Sequence, residues 1–285
     1  MIIQAHQEHP DLSIQRLCEL FEVSRSWYYE AQQERVDEQE TALRDQIEQL
    51  ILEFPGYGYR RVTRALQRAG WRVNHKHVLR IMREESLLCH LKKRFVIMTT
   101  NSRHGLPIYP NLLAETTLTA PNQAWVADLT YIRLRAAFVY LACILDAFSR
   151  RCVGWALSRE MTTRLTLAAL RQAMAERQPA PGLIHHSDRG VQYASHDYVE
   201  QLQAIGAQIS MSAVGNPYDN AKAESFFKTL KMEEVYLKEY ESFADAEANL
   251  QEFIEQVYNT KRLHSSLGYL PPAEFEATYA SVAGS

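Results

Sequence analysis

The chain has 285 residues, 46% of them apolar, enough for one large domain or two to three small ones with a real core. No run approaches 18 apolar residues and the start, MIIQAHQEHPDLS, lacks the basic and apolar regions of a secretion signal, so a soluble cytoplasmic protein with no membrane partner is expected. The net charge of −3 argues against a nucleic-acid partner only until it is divided: residues 1–56 carry 4 basic and 12 acidic side chains, residues 57–105 carry 12 and 2, and residues 106–285 carry 15 and 20.

From the N-terminus, Ser13 is placed to cap a helix with Ile14, Leu17, Cys18 and Phe21 on its apolar face, and after a short turn Ser24 caps a second. This helix-turn-helix outline is acidic and serves equally well as a protein-contact module. Residues 38–54 predict an acidic amphipathic helix with Leu43, Ile47, Leu50 and Phe54 in one stripe.

The basic segment is sharper. Val62, Ala65, Leu66 and Ala69 form one apolar face while Arg60, Arg64 and Arg68 repeat at i, i+4 and i+8, with Arg61 beside them and Gly70 as the stop. Asn74 then caps a helix with Val78, Ile81, Met82 and Leu88 inward and Lys76, Arg80 and Arg83 outward. A solvated face normally mixes both signs, so these stripes predict a helix-turn-helix laid against a phosphate backbone.

Residues 92–122, rich in proline and small polar residues, read as a linker. Strand-like runs follow at 124–133, 138–146 and 151–157, then a helix at 163–176, a strand at 182–188, a helix at about 195–205, a strand at 207–212 and a helix beginning near Ala221. That order implies an α/β fold with a mixed sheet and flanking helices, preceded by small all-α modules. The expected domains are 1–56, 57–91, 92–122 as linker and 123–285. The four cysteines, Cys18, Cys89, Cys143 and Cys152, make no CxxC pair and read as small buried apolar residues.

Asp128 lies in a run too apolar for a solvated charge, Asp188 ends a strand before Gly190, and Glu224 sits early in a helix seated by Phe226, Phe227 and Leu230. An acid in a central strand is costly unless paired or bound to metal. Three carboxylates make an all-oxygen site suited to Mg²⁺ or Mn²⁺ and poor for zinc. His185 and His186 alternate to opposite faces and read as structural, as does Trp125. Asp146 reads as a turn-stabilising, ion-paired residue, and Asp219 and Asn220 as caps of the Glu224 helix.

Asp188 and Glu224, with 35 residues between them, and Asp128 upstream have the spacing of DDE transposases and retroviral-type integrases, whose core is ribonuclease-H-like. The stretches WVADLTYI, LDAFSRRCVGW, HHSDRGVQY, GNPYDNAKAESFFKTLK and YNTKRLHSSLGYLPP resemble the second-frame product of the bacterial insertion-sequence-three family, and SRSWYY and GYGYRRVTRALQRAGWRVNHKHVLRIM resemble its N-terminal region. The resemblance implies a transposase that nicks the ends of its element and joins the 3′-hydroxyl to a second strand. It implies Asp128, Asp188 and Glu224 as catalytic ligands of two Mg²⁺ ions, Asp128 bridging them, and Lys231 and Asn220 as DNA contacts beside the basic stripes. It also implies terminal inverted repeats and target DNA as partners, at least a dimer, a first-frame protein made as a fusion or partner, and a place at the bacterial nucleoid. A ribonuclease-H-like nuclease without joining and a non-enzymatic DNA-binding regulator remain alternatives from the residues alone.

Overall fold

Ser13 caps the first helix as its sequence requires: its hydroxyl accepts from the Arg16 N–H at 3.2 Å and starts α1 (Ile14–Leu20), which buries Leu17 and Cys18. Phe21, expected on that buried face, is instead 39% exposed, because the helix has ended and Glu22 turns away at φ +54°. The computed structural model describes residues 12–26, 38–89, 105–212 and 220–283, so most of the helix expected after Ser24 lies outside the described residues. The amphipathic stripe at 38–54 forms α2 (Glu38–Glu53) with Leu43 and Ile47 buried. The chain divides into two compact units, residues 1–49 and 50–285.

Within the larger unit, α3 (Tyr59–Arg68) buries Val62 and Leu66 and is stopped where Gly70 adopts φ +92°, with the Trp71 N–H returning to the Leu66 carbonyl at 3.0 Å. Asn74 caps α4 (His75–Glu84), its side chain accepting from Lys76 N and His77 N. Both helices are shorter than expected: Ala69 is exposed beyond the first, and Ser86 at φ +57° ends the second before Leu88.

Residues 105–123 cross irregularly to the sheet, with Leu112 N donating to Ser210 Oγ at 2.9 Å. The central strand β1 (Ala124–Arg133) pairs antiparallel with β2 (Phe138–Asp146), which pairs antiparallel with β3 (Cys152–Ser158). The helix α5 (Thr163–Arg177) crosses β3 so closely that a Cβ on Gly154 would lie 2.3 Å from the Ala169 carbonyl. Strand β4 (Ile184–Ser187) then runs parallel to β1, and after α6 (Val191–Ala194) and α7 (His196–Ala204), β5 (Gln208–Met211) runs parallel to β4. The order is β3-β2-β1-β4-β5, the mixed sheet that the element pattern predicts.

Alternation along β1 separates two cores. Trp125, Ala127 and Leu129 pack with residues of α5 and α7, whereas Ala124, Val126 and Ile132 pack with Ala223, Phe226, Phe227 and Leu230 of α8 (Ala221–Leu230). The chain leaves α8 without a break through a wider turn, Tyr236 N to Lys231 O (i to i+5), and α9 (Phe243–Glu252) widens likewise over Phe253–Tyr258 before the final helix α10 (Pro272–Ala283).

These C-terminal elements bind the basic helices to the sheet. Arg262 donates two hydrogen bonds of 2.7 Å to the Glu233 carboxylate, with both side chains almost fully buried, and the Leu263 N–H donates to the Tyr57 hydroxyl at 2.7 Å. Replacing Arg262 with leucine strands the Glu233 charge in the interior and is expected to cost about 3–5 kcal/mol of stability, read by chemical denaturation.

Candidate active site

The even face of β1 that meets α8 also carries Asp128. Extending the parallel pairing of Val126 with His186 by two residues puts Asp188 level with Asp128 at the C-terminal end of β4. The Asp188 carboxylate accepts from Gly190 N at 2.9 Å, and a Cβ on Gly190 would lie 2.9 Å from that same oxygen, so a side chain there would have to displace the carboxylate. Glu224 occupies the first turn of α8 and is exposed. The Asn220 side chain makes no cap on this helix: among the described residues its buried Oδ1 has no partner, while its carbonyl accepts from Glu224 N; Asp219 lies outside the described residues.

Burial pushes the Asp128 carboxyl up to about 8, reinforced by the negative charges of Asp188 and Glu224 and opposed by the Leu129 N–H and the Lys231 ammonium. All four charged groups therefore share one field. Carboxylates that repel one another across a half-buried strand end have the donor chemistry of a hard divalent cation such as Mg²⁺, and they could hold it. Among the described residues, no three histidine, cysteine or acidic groups already stand close enough to enclose an ion; Asp128 and Asp188 are half-buried and Glu224 is exposed.

Lys231 is half-buried with its Nζ 4.4 Å from the centroid of the Tyr131 ring. It lines a groove of about 620 Å³ with Arg133, Arg135 and Lys238, although Glu241 and Glu234 pair with the last two. The sequence did not single out Tyr193, whose buried hydroxyl has no partner among the described residues and is pushed well up by burial, by Tyr198 and by the charges of Asp128 and Asp188. Its signal was its place five residues after Asp188, at the end of HHSDRGVQY.

The histidines are structural. His185 Nε2 meets Tyr198 Oη at 3.0 Å and burial pushes its pKa down to about 3, while His186 joins Ser210 and Ser212. Trp125 is fully buried. Asp146 stabilises its turn as expected, accepting from the N–H groups of Asn122, Phe148 and Ser149, but among the described residues it makes no ion pair: backbone donors occupy its oxygens, and Arg177 and Lys222 act on it only through space. Cys18, Cys143 and Cys152 are buried, but Cys89 is only partly so because α4 ends before it.

Of the basic residues, Arg60, Arg64, Arg68, Lys76, Arg80 and Arg83 are exposed. Arg68 pairs with Glu274 at 2.6 Å, Arg80 with Glu84 at 3.1 Å, and Arg64 lies over the Tyr269 ring. Arg61 turns inward, half-buried over Tyr57, with its Nε unpartnered.

Family models described as Integrase core domain match residues 119–217 and 205–272, and one described as HTH-like domain matches 38–95. The chain is 41% identical over 272 residues to the insertion element IS600 uncharacterized 31 kDa protein of Shigella sonnei, covering 94% of this chain and all of that one. It is 35% identical over 283 residues to the transposase InsF for insertion sequence IS3A of Escherichia coli, covering 97% of each. The HTLV-2 integrase catalytic core domain in complex with magnesium is similar over 55% of this chain and 97% of that one, with a TM-score of 0.41 and 17% identity.

Asp128 stays protonated in the folded chain up to about pH 8, whereas an unfolded aspartate ionises near 4, so the folded state binds the extra proton between them and loses stability as pH rises through that window. In chelator, Asp128→Asn is expected to melt above the wild type at pH 8 to 9 and level with it near pH 4. Equal melting temperatures throughout would contradict a desolvated carboxyl.

Proposed function

The chain belongs to the transposase family of insertion sequence IS3, and on that premise we propose that it cleaves and joins DNA ends through Asp128, Asp188 and Glu224. The observation that carries this reading is the placing of Asp128 on the central strand level with Asp188 and under the helix of Glu224, where burial first, and then the charges of Asp188 and Glu224, lift its carboxyl to about 8. Bound Mg²⁺, two ions per site with Mn²⁺ as a substitute, supplies the Lewis acidity that in-line displacement at phosphorus requires. Asp128 on the rigid central strand, Asp188 on the Gly190 turn and Glu224 on α8 are the residues that would hold such ions. In the first displacement water replaces the 3′-oxygen at an end of the element. In the second, the freed 3′-hydroxyl replaces another 3′-oxygen, so each step forms one P–O bond and breaks one, with no covalent link to the protein.

Lys231, restrained by Tyr131, and Asn220 contact the terminal DNA on either side of Glu224. The exposed cations Arg60, Arg64, Arg68, Lys76, Arg80 and Arg83, with Arg61 behind them, hold the terminal inverted repeats. Joining two ends calls for at least a dimer, which also takes up target DNA and works with a first-frame protein or as a fusion to it, at the nucleoid in the bacterial cytoplasm.

Glu224→Gln is expected to abolish both 3′-end cleavage and strand transfer on a labelled end duplex while binding that duplex nearly as well as the wild type; wild-type joining would sink the assignment. Changing Arg60, Arg64 and Arg80 together to alanine is expected to weaken end binding and to flatten the dependence of log K on log salt by about one unit for each phosphate contact removed. An unchanged slope would move the DNA contact elsewhere.

A further inference from the structure

A second concentration of charge lies on another face of the Glu224 helix. Ala221, Lys222, Ser225 and Thr229 of α8 line a cavity of about 460 Å³, closed by Arg61 of α3, Arg150, and the segment from Tyr258 to Ser266. Four cations surround it: Arg61, Arg150, Lys222 and Arg262. Glu233 neutralises Arg262, but Arg61, Arg150 and Lys222 make no ion pair among the described residues, and the buried Asp146 that senses Lys222 is already held by three backbone N–H groups.

Three observations show a pocket built for an anion. His264 is only 9% exposed, and among the described residues its buried Nε2 and the buried Arg61 Nε have no hydrogen-bond partner. Burial and the charges of Arg262, Arg61 and Arg150 hold the His264 pKa down to about 3, so it stays neutral, and burial together with Arg262 pushes Arg61 down. Arg150 is held in the left-handed region at φ +65°, an uncommon conformation for a side chain of that size. Like charges crowd into one cavity, at a cost in repulsion, beside the hydroxyls of Ser225, Thr229, Ser265 and Ser266. Guanidinium, ammonium and hydroxyl donors around one space match the geometry of a phosphate group.

We propose that this pocket binds a phosphate group, and that its natural occupant is one phosphodiester of the DNA strand running from the basic helices to the acids. Arg61 belongs to the first basic helix and Lys222 and Ser225 to the helix that carries Glu224, so one bound phosphate fixes the register between the end-binding module and the active site. That choice of DNA over free phosphate rests on the transposase reading; the pocket does not.

Two arms test the pocket on the full chain, with Arg150→Asn/Lys222→Gln as the variant, since asparagine tolerates the left-handed backbone at 150. In the first, inorganic phosphate raises the melting temperature of the wild type above chloride of equal ionic strength and the variant loses that rise, while without phosphate the variant melts no lower because repulsion is relieved. In the second, single neutral methylphosphonates are scanned through an end duplex: at one position wild-type affinity falls by about tenfold, and at that position the variant is indifferent. Lys222→Gln alone repeats both arms should the double variant fold poorly. A phosphate response without a distinguishing methylphosphonate position supports the pocket and overturns its DNA occupant. The same response from wild type and variant in both arms overturns the pocket. Glu224→Gln keeps both signatures, so loss of joining by that protein bears on the acids and not on this site.

Discussion

The buried ion pair between Glu233 and Arg262 is the contact on which the arrangement of the larger unit turns. Removing two opposite charges from water is recovered only where both are fully hydrogen-bonded, and here a guanidinium meets a carboxylate with two bonds of 2.7 Å. Glu233 sits in the widened turn after α8, and its side chain fills the space a Cβ on Gly56 would take, 2.3 Å from its Cγ. Arg262 precedes Leu263, whose N–H holds the Tyr57 hydroxyl. The entry to the basic helices, the extension of the Glu224 helix and the C-terminal loop are thus locked at one point. The basic helices α3 and α4 therefore stand in a fixed relation to the acids of the sheet.

The sheet contributes a different constraint. Its central strand must be apolar to be buried on both faces, yet it carries Asp128 midway along, beside the point where the parallel neighbour β4 stops at Ser187 and leaves Asp188 level with it. Two acids at one strand end repel, and the fold tolerates this because Leu129 N, Lys231 and the partly open strand end offset the loss of hydration. Such local destabilisation beside a fully apolar pair of cores is typical of sites kept for binding.

The two wide turns after α8 and α9 serve packing. An i to i+5 hydrogen bond inserts one extra residue per turn and rotates all that follows, so Glu233 reaches Arg262 while Glu234 reaches Tyr240 and Lys238. The second such stretch seats Tyr258 against Phe226 and His264, which forms the wall between the helix core and the cationic cavity.

Much of this was legible in the chain. Period-two runs marked β1 and β2 to the residue, Asn74 and Gly70 marked a helix start and stop, and the apolar setting of Asp128 marked an acid that needed a partner, because each signal is local: propensity, capping and the cost of a buried charge act within a few residues. Shifts of helix ends at Phe21, Ala69 and Leu88 came from left-handed residues that periodicity does not register. Only the tertiary structure decided that Asp146 is satisfied by backbone donors, that the Asn220 side chain makes no cap on its helix, that Tyr193 lies in the field of Asp128 and Asp188, and that Arg61 leaves its stripe to join Arg150 and Lys222 around one cavity. The sequence by itself determined the elements and the kinds of charge they bear. Which charges face each other depended on strand register, on wide turns that break the helical period and on contacts between segments some two hundred residues apart, such as Tyr57 with Leu263, and pairings at that range are set by the packing of the whole unit and not by any window of the chain.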